Sequence, residues 1–105
     1  MIPKIIHQTW KTKNLPVDFT KYSSTWKDLH PEWDYKLYDD NDCLSIVEKY
    51  FPQFLETYLN LPSPVMKADM FRYMILYQFG GLYADIDAEA LKPIDNLISK
   101  DDSMI

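Results

Sequence analysis

Two aspartates one residue apart, Asp85 and Asp87, carry the clearest chemical reading in the chain; they close the run Gly80-Gly-Leu-Tyr-Ala-Asp-Ile-Asp87. In an extended segment alternate residues share a face, so Tyr83, Asp85 and Asp87 point one way and Leu82, Ala84, Ile86 and Ala88 the other. The second face is apolar and is expected to pack on a core. The first sets two carboxylates roughly 6–7 Å apart at the backbone, beside an aromatic ring. Like charges that close repel unless a cation lies between them. Mg²⁺ or Mn²⁺ suits the position, because hard divalent ions take carboxylate oxygens and fill their other sites with phosphates. Two plain surface aspartates at a strand end are the competing reading, since D-x-D arises often by chance in an acidic protein. A sharper rival is the aspartyl nucleophile of phosphatases, D-x-D-x-T/V, but here Glu89 stands where that motif carries Thr or Val.

Asp69 and Arg72 form a second cluster, at i,i+3 on one helix face with Tyr73 beside them. They read either as an intrahelical ion pair, which contributes a few tenths of a kcal/mol, or as part of the same site, because their helix runs through Gly80-Gly81 straight into the D-x-D segment. His7 and Trp10 end the first apolar segment. With no Ser or Cys partner nearby, His7 reads as a hydrogen-bonded structural histidine. Ligands of open α/β sheets bind outside the carboxyl ends of the strands, where Trp10 can stack on a nucleobase or simply cap the core.

The elements that must position these residues follow from pattern. Ile2 to Trp10, with Ile2, Ile5 and Ile6, reads as a strand covered on both faces. Phe19, Tyr22, Trp26 and Leu29 fall at helical spacing until His30-Pro31 stops the run. Trp33 to Tyr38 alternates as a short strand. Asp39 to Asp42 offers N-caps for a helix over 44–50, and Pro52 opens a short helix through Tyr58. Ser63 can cap the longest helix, Pro64 to Phe79, which Gly80-Gly81 terminates; along it Met66, Met70, Tyr73 and Tyr77 read as a core-facing stripe. Leu82 to Asp87 is a strand. The order β-α-β-α-α-α-β places the chain in the α/β class as one domain over 1–105.

Composition narrows the partners. Of 105 residues, 47% are hydrophobic, enough for one modest core. With only 2 Gly the chain has no glycine-rich phosphate loop, so a bound nucleotide must be held by side chains and a metal. A net charge of -5 argues against nucleic acid. No stretch has the length and apolarity of a membrane span or of a signal peptide. The single cysteine, Cys43, has no disulfide partner in the chain and is expected as a partly buried thiol in a reducing compartment, so the expected location is cytoplasmic.

The runs Ile2-Pro-Lys-Ile-Ile-His-Gln-Thr-Trp10, Trp33 to Tyr38, Ala68-Asp-Met-Phe-Arg-Tyr73 and Gly80 to Asp87 occur in the same order in the DXD sugar-transferase family, which the chain resembles along nearly its whole length. That family includes fungal α-1,6-mannosyltransferases, bacterial capsular-polysaccharide transferases and, more distantly, the large clostridial glucosylating toxins. The resemblance implies a GT-A fold, a UDP- or GDP-sugar donor, Mn²⁺ or Mg²⁺, and transfer to a glycan or other acceptor with retention of configuration. It implies that Asp87 ligates the metal and that Asp85 contacts both donor and metal. Asp69 and Arg72 would bond the sugar hydroxyls, Tyr83 would pack on ribose and base, Trp10 would stack on the base, and Gly80 and Gly81 would let the turn pass close to the donor. Ala84 departs from the bulkier residue more usual there. Family domains also run well beyond the D-x-D strand, so a truncated domain is expected, with the site completed by a missing carboxyl-terminal half or by a partner chain.

Three functions therefore stand side by side: a metal-dependent glycosyltransferase, a non-catalytic nucleotide-sugar-binding remnant of the same fold, and an aspartyl phosphatase-like enzyme. Self-association is also expected. A sheet ending near Asp87 would leave one edge and one face uncovered, and 8 Tyr, 5 Phe and 3 Trp exceed what so small a core hides.

Overall fold

The computed structural model describes residues 3–91; Ile2 and the segment from residue 92 onward lie outside them. Its elements run β1 (Ile5–Thr9), α1 (Val17–Leu29), β2 (Asp34–Tyr38), α2 (Asp40–Tyr50), a 3₁₀ turn (Pro52–Phe54), α3 (Leu55–Leu59), α4 (Pro64–Phe79) and β3 (Leu82–Tyr83). The three strands are parallel in the order β2-β1-β3, with Ile5 opposite Asp34 and Ile6 opposite Leu82. Parallel neighbours need long crossovers, and the helices supply them. The chain is α/β, as its element order predicts.

Local chemistry sets the helix ends. Asp39 caps α2 in a reciprocal box: its carboxylate accepts from the Asp42 amide at 2.8 Å, and Asp42 accepts from the Asp39 amide at 3.1 Å. The helix consequently starts at Asp40, four residues before the start at residue 44 that its sequence suggests. Ser63 accepts from the Met66 amide, Pro64 occupies the first turn of α4, and Gly80 ends that helix with φ of 72°.

The sheet has a helical layer on each face. On one, Ile6, Trp26, Trp33, Ala84 and Ala90 form a buried cluster against α1, with Tyr35, Leu82 and Ala88 packed on it. On the other, Cys43, Val47, Phe51, Tyr58, Phe71, Met74 and Ile75 join α2, α3 and α4, with Tyr38 and Tyr83 packed on them. Among the described residues both faces of the sheet therefore carry packed helices, in place of the expected uncovered face. Cys43 is a free, buried thiol, and burial together with the acidic cap of α2 pushes its pKa up to about 12.

Helix α4 corrects one expectation. Met66, Tyr73 and Tyr77 are 49%, 68% and 84% exposed, so three of the four positions read as core face outward; Met70 is partly buried against the core, and Phe71, Met74 and Ile75 are the buried positions. The helix is apolar most of the way round, so periodicity alone could not choose its inner face. Among the described residues no helix is long and apolar enough to cross a membrane.

Candidate functional site

The carboxyl ends of β1 and β3 and the middle of α4 converge on one cluster. On β3, alternation sends Leu82 and Ala84 to the α1 side and Tyr83 to the α4 side. The Tyr83 hydroxyl lies 2.7 Å from Oγ1 of Thr9, the last residue of β1. Burial pushes the Tyr83 phenol above its ordinary pKa, so it stays protonated. Arg72 reaches across from α4: its guanidinium lies 4.6 Å from the centre of the Tyr83 ring, and Nη2 donates to Asp85 Oδ1 at 2.6 Å. Arg72, Tyr83 and Asp85 thus form one contiguous polar surface.

The D-x-D segment is not the strand its alternation suggests. Ladder pairing ends at Tyr83, with one further bond from the Ala84 amide to the His7 carbonyl at 3.0 Å. The chain then turns, and the Ala88 amide donates to the Asp85 carbonyl at 3.0 Å. Asp85 opens this turn and Asp87 lies inside it, both exposed. The expectation of an extended strand through Asp87 is thereby corrected. The in–out alternation persists past the end of the strand because Ala84, Ala88 and Ala90 stay packed against α1.

The i,i+3 ion pair between Asp69 and Arg72 is not formed. Arg72 pairs instead with Asp85, thirteen residues on, and Asp69 is exposed one turn earlier on the same helix with no ion pair among the described residues. The Arg72 Nε is buried and has no hydrogen-bond partner among the described residues. Trp10 lies just past the end of β1, half-buried, edge-on to Phe19 with ring centres 5.1 Å apart, and belongs to neither core cluster.

Gly80 and Gly81 have φ of 72° and 96°, in the left-handed region that favours glycine. Their close approach is to the first strand: a Cβ on Gly81 would fall 2.4 Å from the Ile5 carbonyl oxygen, and one on Gly80 2.8 Å from the Pro3 ring. They therefore dock the turn at the amino-terminal end of β3, away from the carboxyl ends where Arg72 and Asp85 meet. His7 completes that docking. Its Nε2–H donates to the Gly80 carbonyl at 2.8 Å and its Nδ1 accepts from the Tyr38 hydroxyl at 2.9 Å, a tautomer fixed by the carbonyl. Burial lowers its pKa against the opposing effect of the Gly80 bond, so the ring is neutral, as suits a structural histidine.

Three side chains to which the sequence assigns no role at the site hold the turn from behind. Gln8 Nε2 donates to the Asp85 carbonyl at 3.0 Å, Trp26 Nε1 donates to the Ala88 carbonyl at 3.0 Å, and Thr25 Oγ1 accepts from the Ala90 amide at 2.8 Å.

The donor set can be tested against a divalent metal. Among the described residues no three His, Cys, Asp or Glu side chains lie close enough to cage an ion. Asp85 and Asp87 share one exposed turn, Asp85 already bonds a cationic group through one oxygen, and Asp87 has no side-chain partner among the described residues. Two hard carboxylates without a third protein ligand fit an ion whose remaining positions are filled by phosphate and water. They do not fit a stand-alone metal site.

Residues 16–104 match the model of glycosyltransferase sugar-binding regions containing the DXD motif. The chain belongs to this family. It is 37% identical over 110 residues to an initiation-specific α-1,6-mannosyltransferase of Candida albicans, covering 98% of this chain and 29% of that protein. It is 39% identical to inositol phosphoceramide mannosyltransferase 3 of Schizosaccharomyces pombe, over 92% of this chain and 27% of the relative. The mannosyl phosphorylinositol ceramide synthase SUR1 of Saccharomyces cerevisiae is 37% identical, over 94% and 26% respectively. The chain thus spans between a quarter and a third of the length of these relatives. No solved structure gives a significant match.

Proposed function

We propose that this chain forms the donor-binding part of a metal-dependent glycosyltransferase, which moves a sugar from a nucleoside diphosphate to a glycan or other acceptor with retention of configuration. The observation that carries the reading is the convergence of Arg72, Tyr83 and Asp85 beside Asp87 at the carboxyl ends of parallel strands, where α/β sheets bind ligands. Mannose is the proposed sugar, because the relatives are named mannosyltransferases.

Asp87 and the free oxygen of Asp85 would hold Mn²⁺ or Mg²⁺, which when bound supplies the charge that stabilises a departing diphosphate. The remaining roles belong to the chain's own groups. Arg72 has a cationic fork aimed at the turn, and its donors can bond sugar hydroxyls or diphosphate oxygens as well as Asp85. Asp69, one turn earlier and uncommitted among the described residues, is placed to accept from sugar hydroxyls. Tyr83, its hydroxyl tied to Thr9, offers a ring of fixed orientation to the ribose and base, and Trp10 offers a second ring for the base. Gly80 and Gly81 serve by fixing β3 against β1.

The test is donor turnover. Incubation with Mn²⁺ and UDP- or GDP-sugars should release the nucleoside diphosphate in a reaction abolished by chelator and by Asp87→Ala. Binding without release would indicate the non-catalytic remnant, and cleavage of simple phosphate monoesters the aspartyl phosphatase.

A further inference from the structure

The D-x-D turn carries its carboxylates in solvent, yet its backbone is anchored from the interior. Ladder pairing with β1 stops at Tyr83 and the Ala84 amide. One residue later the support comes from a side chain. Gln8, on the central strand and 0% exposed, donates from Nε2 to the Asp85 carbonyl at 3.0 Å. The Asp85 carbonyl can only accept, so it takes the amide nitrogen, and Oε1 is left to accept from the Tyr35 hydroxyl at 2.6 Å. Burial keeps the Tyr35 phenol protonated and hence a donor. The Asp85 carbonyl accepts a second bond, from the Ala88 amide that closes the turn, and Trp26 holds the Ala88 carbonyl. The chain Tyr35–Gln8–Asp85–Ala88–Trp26 therefore runs from β2 through the sheet to α1, and the turn is its exposed segment.

We infer that Gln8, oriented by Tyr35, is a positioning residue for the D-x-D turn: it fixes the Asp85 backbone, and through it the directions of the Asp85 and Asp87 carboxylates toward metal and diphosphate. The inference rests on the metal–diphosphate reading of that turn. It goes beyond packing because the Gln8 amide is committed at both ends. Rotating or replacing it removes the acceptor of the half-buried Tyr35 hydroxyl and leaves the turn-opening carbonyl with one donor fewer. The two carboxylates are exposed; among the described residues the Arg72 bond to Asp85 is the one side-chain bond either of them makes, and Gln8 is the side chain bonded to the backbone of Asp85 itself.

The test uses the whole 105-residue chain with Tyr35→Phe and Gln8→Met, and Asp87→Ala as a control. Two quantities are measured: hydrogen exchange of the Ala88 amide relative to amides of α2 and α4, and calorimetric affinity for Mn²⁺ with GDP and with UDP. Tyr35→Phe is expected to speed Ala88 exchange and weaken the Mn²⁺–nucleotide affinity by about three- to tenfold each, the effect of losing one hydrogen bond, while helix amides exchange at the parental rate. Gln8→Met should do more of both. Uniformly faster exchange across the chain would make Gln8 a core residue only and overturn the inference. So would parental exchange and affinity in Tyr35→Phe, which decides the matter if Gln8→Met does not fold. If those variants bind normally while Asp87→Ala has lost affinity, the positioning role alone is wrong. If Asp87→Ala retains full affinity, or the parent binds no Mn²⁺–nucleotide, the metal-site reading fails and takes the inference with it.

Discussion

Replacing Arg72 by alanine should separate ligand recognition from stability. The guanidinium makes a 2.6 Å bond to Asp85, but the two side chains are 38% and 63% exposed, so solvent screens the pair. Exposed ion pairs contribute about 0.2–1 kcal/mol, and a partly exposed cation over an aromatic ring about 0.5–1 kcal/mol. Alanine also removes the buried Nε that lacks a hydrogen-bond partner, which offsets part of the loss. The expected net cost in unfolding free energy is about 1 kcal/mol. Binding should suffer more. A hydrogen bond from a charged donor contributes about 1.5–3 kcal/mol, so Mn²⁺–nucleotide-sugar affinity should fall about ten- to a hundredfold. Arg72→Lys should fall between, keeping the charge but not the planar fork. Urea unfolding and calorimetric titration on the same preparations give both numbers. A loss of 2 kcal/mol or more in stability (roughly twice the exposed-pair ceiling) with unchanged affinity would make Arg72 a structural tether and refute the reasoning.

Three further outcomes are expected. Asp69→Ala should leave unfolding free energy within about 0.5 kcal/mol of the parent, as for exposed positions generally, yet weaken nucleotide-sugar binding more than binding of the bare nucleotide; equal losses for the two ligands would count against its sugar role. Gly81→Ala should destabilise by about 2 kcal/mol or more, because the new Cβ meets the Ile5 carbonyl at 2.4 Å and φ is 96°; urea unfolding measures it, and a change under about 0.5 kcal/mol would show that the turn relaxes freely. His7 is held neutral, with its folded pKa below the unfolded value of 6.5. The unfolded chain therefore binds the extra proton first, and stability should decline as pH falls below about 6.5. A His7→Gln variant should show a flatter decline over that window, and an unchanged slope would remove His7 as the cause.

Much of this arrangement was legible in residue order. Asp39, Ser63 and Gly80 mark helix ends through local hydrogen bonding and backbone preference, which a sequence displays directly. The alternation from Leu82 to Ala88 gave the right inward and outward sides even though the ladder ends at Tyr83. Three things were not legible, each for a physical reason. The partner of Arg72 depends on a competition between Asp69 on its own helix and Asp85 on the next strand, and only the docking of α4 decides it. The inner face of α4 is set by which side meets α2, since Tyr73 and Tyr77 are as apolar in pattern as Phe71 and Met74. The anchors Gln8, Trp26 and Thr25 reach the turn across 77, 62 and 65 residues, and a glutamine inside an apolar strand announces a buried bond without naming its partner.

The central claim is that the D-x-D turn binds a divalent ion and a diphosphate together, because the described residues supply two carboxylates and no third ligand. Calorimetry with Mn²⁺ and a nucleoside diphosphate, titrated singly and in combination, tests it most directly. Either ligand alone should bind weakly, each should bind at least tenfold tighter in the presence of the other (about 1.4 kcal/mol of coupling), and Asp87→Ala should abolish that coupling. Tight Mn²⁺ binding without nucleotide, or coupling that survives Asp87→Ala, would contradict it.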